Sequence, residues 1–310
     1  MTYLKLVATM FLWGGTFIAG RLLAGEVSPP CAAFVRFALA SVLLVGMIRA
    51  VEGRLPRISR RQAVGVVLLG LTGVFGYNVL FFAGLQTVGA GRAAMIIALN
   101  PVGIAVLSAL FCREPLGPLG TLGILVSVTG ALFVVTDGHL SRLLAAGAGA
   151  GLGELYLLGC VLCWSAYSVL GRRVMGGLSP LVAVGYSAVA GTALLLPVAL
   201  LGGVQGAVWG YGARAWASLV YLAVFGTVLA FIWYYQGIKS LGAPRAGVFI
   251  NLVPVCAVLQ AFVLLGEPLT PALVGGGAIT LAGVWLTNAA RRPGPERRLG
   301  RRPLAGPARR

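Results

Sequence analysis

Ten apolar stretches, each about as long as a membrane is thick, follow one another with hardly any polar chain between them. They run near residues 4–24, 31–50, 63–84, 88–112 and 118–136, then near 154–173, 180–201, 214–238, 243–265 and 271–290. A helix crosses the hydrocarbon core with about 20 apolar residues. Inside that core every backbone N–H and C=O must be paired within the protein, which a helix achieves by itself. The chain therefore reads as an all-α integral membrane protein of ten transmembrane helices. Charge agrees with this. Only 10% of the 310 residues are charged, against about 25% in a soluble domain. The connectors Glu52–Gln62, Arg113–Pro118, Asp137–Gly153, Gly202–Arg214 and Gly266–Pro271 leave no room for a large soluble domain.

The net charge of +17 does not point to nucleic acid, because the arginines sit in short loops and in the tail, where they act as topology signals. With the N-terminus inside, the inner segments hold Lys5, Arg49, Arg54, Arg57, Arg60, Arg61, Arg113, Arg172, Arg173, Lys239, Arg245 and eight tail arginines. The outer ones hold Arg21, Arg92, Arg142 and Arg214. The opposite orientation would invert this bias, so both termini are expected in the cytoplasm. The stretch Met1 to Gly25 is read as an uncleaved first helix, because its apolar run is long, contains Trp13 and Arg21, and leads straight into further spans. Residues 291–310 form a basic Arg/Pro/Gly-rich tail, expected to be disordered. The cysteines Cys31, Cys112, Cys160, Cys163 and Cys256 fall in or beside apolar runs, where cysteine behaves as a small apolar residue. The CxxC spacing of Cys160 and Cys163 has no second pair or histidine cluster beside it, so neither a disulfide framework nor a metal site is expected.

An internal repeat carries the most information. Trp13, Arg21 and Ser28-Pro29 recur 151 residues later as Trp164, Arg172 and Ser179-Pro180. Gly89-Ala90, Arg92-Ala93, Pro101-Val102, Glu114-Pro115-Leu116, Gly123 and Gly130 recur 153 residues later as Gly242-Ala243, Arg245-Ala246, Pro254-Val255, Glu267-Pro268-Leu269, Gly276 and Gly283. Residues 1–143 and 144–290 thus read as two five-helix repeats, with 291–310 as the tail. A unit that crosses the membrane five times places its second copy upside down, and inverted repeats meeting at the midplane are a common transporter construction.

These motifs resemble the EamA branch of the drug/metabolite transporter superfamily. Phe11-Leu12-Trp13-Gly14-Gly15-Thr16-Phe17 resembles its opening Trp-Gly motif. Pro29 through Arg36-Phe37 resembles its second-helix signature. Asn100-Pro101 leading to Glu114-Pro115-Leu116 and a glycine-rich helix resembles the end of each repeat. The resemblance spans residues 1–290 and implies a central cavity lined by helices 1, 3, 4, 6, 8 and 9 and export of small metabolites or drugs. The second copy departs from the pattern at Ser187-Ala188, where the Arg36-Phe37 match would fall.

Candidate solute-binding residues are Trp13, Asn78, Asn100, Trp164, Tyr167, Tyr234, Asn251 and Gln260. Pro101 and Pro254 each lack an N–H and free a carbonyl four residues back, at Ile97 and Ile250. Helix breaks at matching points of two halves point to a substrate site, and Asn100 and Asn251 flank them. Trp13 and Trp164 lie deeper than an interfacial belt, with Tyr167 beside Trp164. Tyr234, in Trp233-Tyr234-Tyr235-Gln236, fits gating or belt anchoring. Asn78, Tyr77 and Gln260 fit either the site or interhelical packing.

Arg36 lies about 9 Å into helix 2 at 1.5 Å per residue, where a charge costs at least about 2.5 kcal/mol. Snorkelling, capping a neighbouring helix and attracting an anionic solute are all open to it. Glu114 and Glu267 precede helices 5 and 10, where a carboxylate suits the helix dipole and the following proline an early helical position; proton coupling is the other role. Small-xxx-small spacing at Ala183, Ser187 and Gly191 in helix 7, and at Ala278 and Ala282 in helix 10, predicts close packing.

No Asp or Glu lies in mid-span apart from Glu154 at the start of helix 6. Proton-exchanging small multidrug exporters depend on a glutamate in their first helix, and this first helix has none, so lipophilic cations are disfavoured. With His139 the single histidine, no catalytic set can converge, and no catalytic residue, metal or cofactor is expected. No GxxxxGK[ST] loop appears, so energy must come from gradients or from the solute itself. The expectation is a secondary exporter of small metabolites such as amino acids, multi-pass in a prokaryotic inner cell membrane, with a solute, the bilayer and a coupling proton or ion as partners. A multidrug exporter is the nearest rival; a membrane enzyme and a non-transporting scaffold are distant ones.

Overall fold

A computed structural model describes residues 2–112, 117–136, 138, 151–174, 178–241 and 249–289. The described residues are helical, without strands, in the order α1 (Thr2–Leu23), α2 (Pro29–Glu52), α3 (Arg60–Thr87), α4 (Ala90–Ile97 and Asn100–Cys112), α5 (Pro118–Val135), α6 (Leu152–Val174), α7 (Pro180–Leu201), a short helix Val204–Gly210, α8 (Ala213–Val220 through to Ala230–Leu241), α9 (Leu252–Gln260, extended by Ala261–Leu265) and α10 (Pro271–Ala289). Seven of these, α1–α4 and α6–α8, are long and apolar enough to cross a membrane; α5, α9 and α10 offer shorter apolar helices. Large apolar side chains stand exposed around the bundle, among them Leu201 at 90%, Leu4 at 74%, Val42 at 73% and Trp285 at 65%. Such a skin is stable against lipid and not against water.

Helix starts follow the sequence. Pro29 and Pro180 open α2 and α7, where the missing N–H costs nothing. Ser179 caps α7 through the Val182 N–H, and Ser59 with Gln62 forms a reciprocal capping box on α3. Gly53 and Gly266 adopt left-handed φ of 71° and 67° and stop α2 and α9.

Helices at matching points of the two sequence repeats meet side by side and run antiparallel. On α2 and α7, Ser41 and Thr192, which are 151 residues apart, share a hydrogen bond of 3.1 Å. Nearer the ends, the Ser179 hydroxyl bonds Glu52 at 2.7 Å and the Cys31 thiol faces the Ala199 and Gly202 carbonyls. On α5 and α10 the contacts are reciprocal. Gly130 lies bare against Thr280 and Gly276, and Gly283 against Ser127 and Gly123. The remaining helices exchange partners: α1 packs on α8 and α9, and α6 packs on α3 and α4.

The small-residue stripes are where expected on α7 and shifted on α10. Ala183, Ser187 and Gly191 are buried, the last two against Gly70 of α3. Ala278 and Ala282 are exposed, and the seam is made instead by Gly276, Thr280 and Gly283. A Gly283→Leu change is therefore expected to lower the unfolding temperature in detergent by several degrees, as overpacking costs about 1–3 kcal/mol. Gly275→Leu, whose added Cβ would meet nothing within 4 Å, should leave it unchanged; equal shifts in the two variants would show that the seam is not tight.

Candidate functional site

α3 and α8 both lose regular α-helical winding midway. Gly70–Gly76 and Tyr221–Leu229 are π-helical, a widened turn that leaves carbonyls in need of other donors. Asn78 fills that need on α3, its amide donating to the Val74 carbonyl at 2.8 Å and the Gly73 carbonyl at 3.4 Å. Thr227 does so on α8, its hydroxyl donating to the Leu222 carbonyl at 2.8 Å.

Arg36 of α2 joins the two widened turns. Its Nη1 donates to Asn78 Oδ1 at 2.9 Å, while Nε and Nη2 both reach Thr227 Oγ1 at 3.3 Å. The three side chains are buried: Arg36 is 8% exposed, Asn78 2% and Thr227 1%. Arg36 thus neither snorkels to an interface nor caps a helix end, since both acceptors lie within the bundle. Sequence reasoning missed Thr227, which looks like any threonine in an apolar run.

Aromatic rings stand on both sides. Trp13 packs on Phe231 and Tyr234 of α8, with centroids 5.7 and 5.3 Å apart, and its indole N–H donates to the Gly226 carbonyl in the widened turn at 3.1 Å. Trp164 packs on Tyr77 of α3 and on Tyr167, each at 5.4 Å, and Tyr167 lies against Gly73 in the other widened turn. Tyr234 therefore faces inward and is not a belt residue.

The break ahead of Pro101 is visible. α4 is interrupted at Ala98–Leu99, just ahead of Pro101, where the Leu99 N–H turns back to Ile96 at 3.1 Å. A single 3-10 turn, Phe249–Asn251, stands three residues ahead of Pro254. Asn100 Oδ1 and Ser165 Oγ are buried side-chain atoms with no hydrogen-bond partner, and Ser165 lies against Gly103, one turn along α4 from Asn100. The side chains of Asn251 and Pro101 lie outside the described residues, as does Glu114.

Two further candidate residues bond to other helices. Gln260 donates to the Phe11 carbonyl at 3.0 Å and ties α9 to α1. Glu267 does not serve the helix that follows it, whose start is capped by Thr270 at the Leu273 N–H. Its carboxylate accepts instead from the Ala90 and Gly91 N–H groups at 2.7 and 3.0 Å, at the positive end of α4. A left-handed Gly266 immediately before it aims the side chain that way. Basic residues read as topology signals also have local duties. Arg21 donates to the Leu85 and Gln86 carbonyls at the end of α3, and Arg92 to the Val134 carbonyl at the end of α5. A cleft of about 510 Å³ opens among Pro29, Gln86, Thr87, Leu152, Glu154 and Tyr156, at one end of the bundle and away from Arg36.

The model of the EamA-like transporter family matches residues 1–136 and again 151–289. The chain belongs to that family. It is a transporter of the drug/metabolite type, and not an enzyme. It is 31% identical to an uncharacterised transporter, YyaM, of Bacillus subtilis, over 91% of this chain and 92% of that one. It is 30% identical to a probable terminal-alkyne amino-acid exporter of Streptantibioticus cattleyicolor, over 96% of this chain and 94% of that one. A crystal structure 25% identical superposes with a TM-score of 0.65 over 94% of this chain and 98% of its own. As an EamA transporter the protein is multi-pass in a membrane.

Proposed function

We propose that this EamA protein is a secondary exporter of small metabolites, amino acids among them, working by alternating access between two inverted five-helix repeats with both termini in the cytoplasm. One observation carries the reading: equivalent helices of the two halves pair antiparallel, α2 with α7 and α5 with α10, through reciprocal contacts. Two units related in that way can trade conformations, so that whichever face one half closes the other can open. The family model's two separate matches, 1–136 and 151–289, support the same division, near 143. The break of α4 ahead of Pro101, the Arg36 cluster and the aromatic groups on α1, α3, α6 and α8 support a solute chamber at the junction of the halves. Amino acids are favoured by the name of the Streptantibioticus relative. The bacterial and archaeal relatives favour the inner membrane of a prokaryote.

Purified protein in liposomes should exchange labelled amino acids against an internal pool. Exchange confined to dyes would replace this reading with a multidrug exporter, and no exchange of any amino acid would remove that class of solute. Cysteine labelling should find residue 60 and the C-terminal tail on the same face. Opposite faces would remove the inverted ten-helix arrangement.

A further inference from the structure

We propose that Arg36 is the receptor for a carboxylate on the transported solute, and that the solute is a monocarboxylate with an apolar or aromatic body. The inference rests on the transporter reading and adds the chemical class.

A buried guanidinium in a membrane bundle needs a counter-charge or a strong reason to do without one. Among the described residues Arg36 has none. Of the described acids, Glu52 holds Ser179, Glu154 faces Arg92 at 3.8 Å, Glu267 holds the start of α4, and Glu26 is exposed. The acceptors that Arg36 does have, Asn78 and Thr227, are neutral.

A guanidinium carries five N–H donors. Three are used in these bonds, and two of those bonds are long, at 3.3 Å, and share one oxygen. One N–H remains on each terminal nitrogen, and a carboxylate with its two oxygens can take both. A dianion would bring a second charge that no described cation beside Arg36 could match. A neutral or cationic solute would leave the guanidinium as uncompensated as it is now.

The surroundings select the rest of the molecule. Thr227 lies in the widened turn of α8 and Asn78 just past that of α3, bonded to its carbonyls, and those turns are covered by Tyr167 on one side and Trp13 on the other. A solute anchored at Arg36 would therefore extend its body between rings. It would also meet α3 and α8 together, so its binding would depend on how the two halves stand.

The test uses full-length protein in liposomes loaded with an equimolar mixture of apolar and aromatic amino acids, their amides, and the corresponding decarboxylated amines, with efflux read by mass spectrometry. The expected result is protein-dependent loss of the acids, and no protein-dependent loss of the amides or amines beyond that of empty liposomes. Arg36→Gln should cut acid efflux by at least about tenfold, and Arg36→Lys should keep part of it with a raised KM, because an ammonium lacks the paired fork. The wild-type comparison of acid with amide needs no variant and decides the solute class; where Arg36→Gln folds poorly, Arg36→Lys decides the role of Arg36, an unchanged KM for the acids overturning it. Efflux of amides or amines at the rate of the acids, or full acid efflux by a well-folded Arg36→Gln, overturns the carboxylate site and leaves the transporter reading standing. No protein-dependent efflux of any component overturns both.

Discussion

Asn78→Leu is expected to destabilise the protein by about 2–4 kcal/mol, the range for removing a buried partner of a charged group. The side chains are similar in size, so the change creates little cavity, and the loss is electrostatic. Arg36 loses its shortest hydrogen bond, at 2.9 Å, and the Val74 and Gly73 carbonyls of the widened turn lose their donor. Thr227→Val should cost less, because its bonds to Arg36 are longer. The double variant should lose less than the two separate losses together, since both partners serve one guanidinium. Adding Arg36→Met to that pair should restore much of the lost stability, as an apolar set of similar volume replaces a half-satisfied polar one, while carboxylate efflux stays absent. Asn78→Asp separates the two properties from the other direction. Its fixed carboxylate neutralises Arg36 but turns an acceptor towards the Val74 and Gly73 carbonyls, so the loss of stability should be smaller than for Asn78→Leu, and solute carboxylates should be refused. Thermal unfolding in detergent and efflux from liposomes together check the series. Additive losses, or an Asn78→Asp protein that transports normally, would show that the three residues do not act as a unit.

The helices were legible because ten apolar runs leave little else for the chain to form, and the pairing of halves was foreshadowed by residues recurring at offsets of 151 and 153. The widened turns were not legible. No residue type marks a π-helical stretch, and Gly70–Gly76 reads as ordinary small-residue helix. Trp13, Trp164, Tyr167 and Asn78 are conspicuous as large or polar groups in apolar runs, and the structure brings them near the widened turns. Thr227 escaped because its partner lies 191 residues away and a hydroxyl within a helix ordinarily bonds its own backbone. On α10 the spacing of Ala278 and Ala282 matched the packing rule as well as that of Gly276 and Thr280. A helix with small residues on several faces gives periodicity nothing to choose by, and only the partner α5 decides. Glu267 was misassigned for a related reason. Proximity in sequence favoured the dipole of the following helix, whereas Thr270 already fills that place and the unfilled N–H groups are those of Ala90 and Gly91.

That misassignment gives Glu267 its interest, because the cap joins one half to the other. Glu267→Ala removes the acceptor of two N–H groups at once, and Glu267→Gln offers one oxygen while setting its own N–H against the second donor. Each change leaves the positive end of α4 exposed beside the end of α9, at a cost of about 1–3 kcal/mol for Ala and less for Gln. A contact made in one conformer and broken in the other shifts the balance between them by its own free energy, and 1.4 kcal/mol is about a tenfold change in population. Alternating access therefore predicts that Glu267→Ala opens the face bearing this cap and lowers exchange about tenfold by depleting the closed conformer. Val258 of α9 lies against Gly91, so a single cysteine placed there, in a background free of other cysteines, should label faster with an impermeant maleimide when Glu267 is alanine. By the 153-residue offset Glu114→Ala should act on the opposite face, and the paired variant should recover exchange, since both conformers are then raised in energy alike. A plain helix cap would behave differently: the unfolding temperature would fall while labelling at 258 and exchange by the stably folded fraction held at wild-type values.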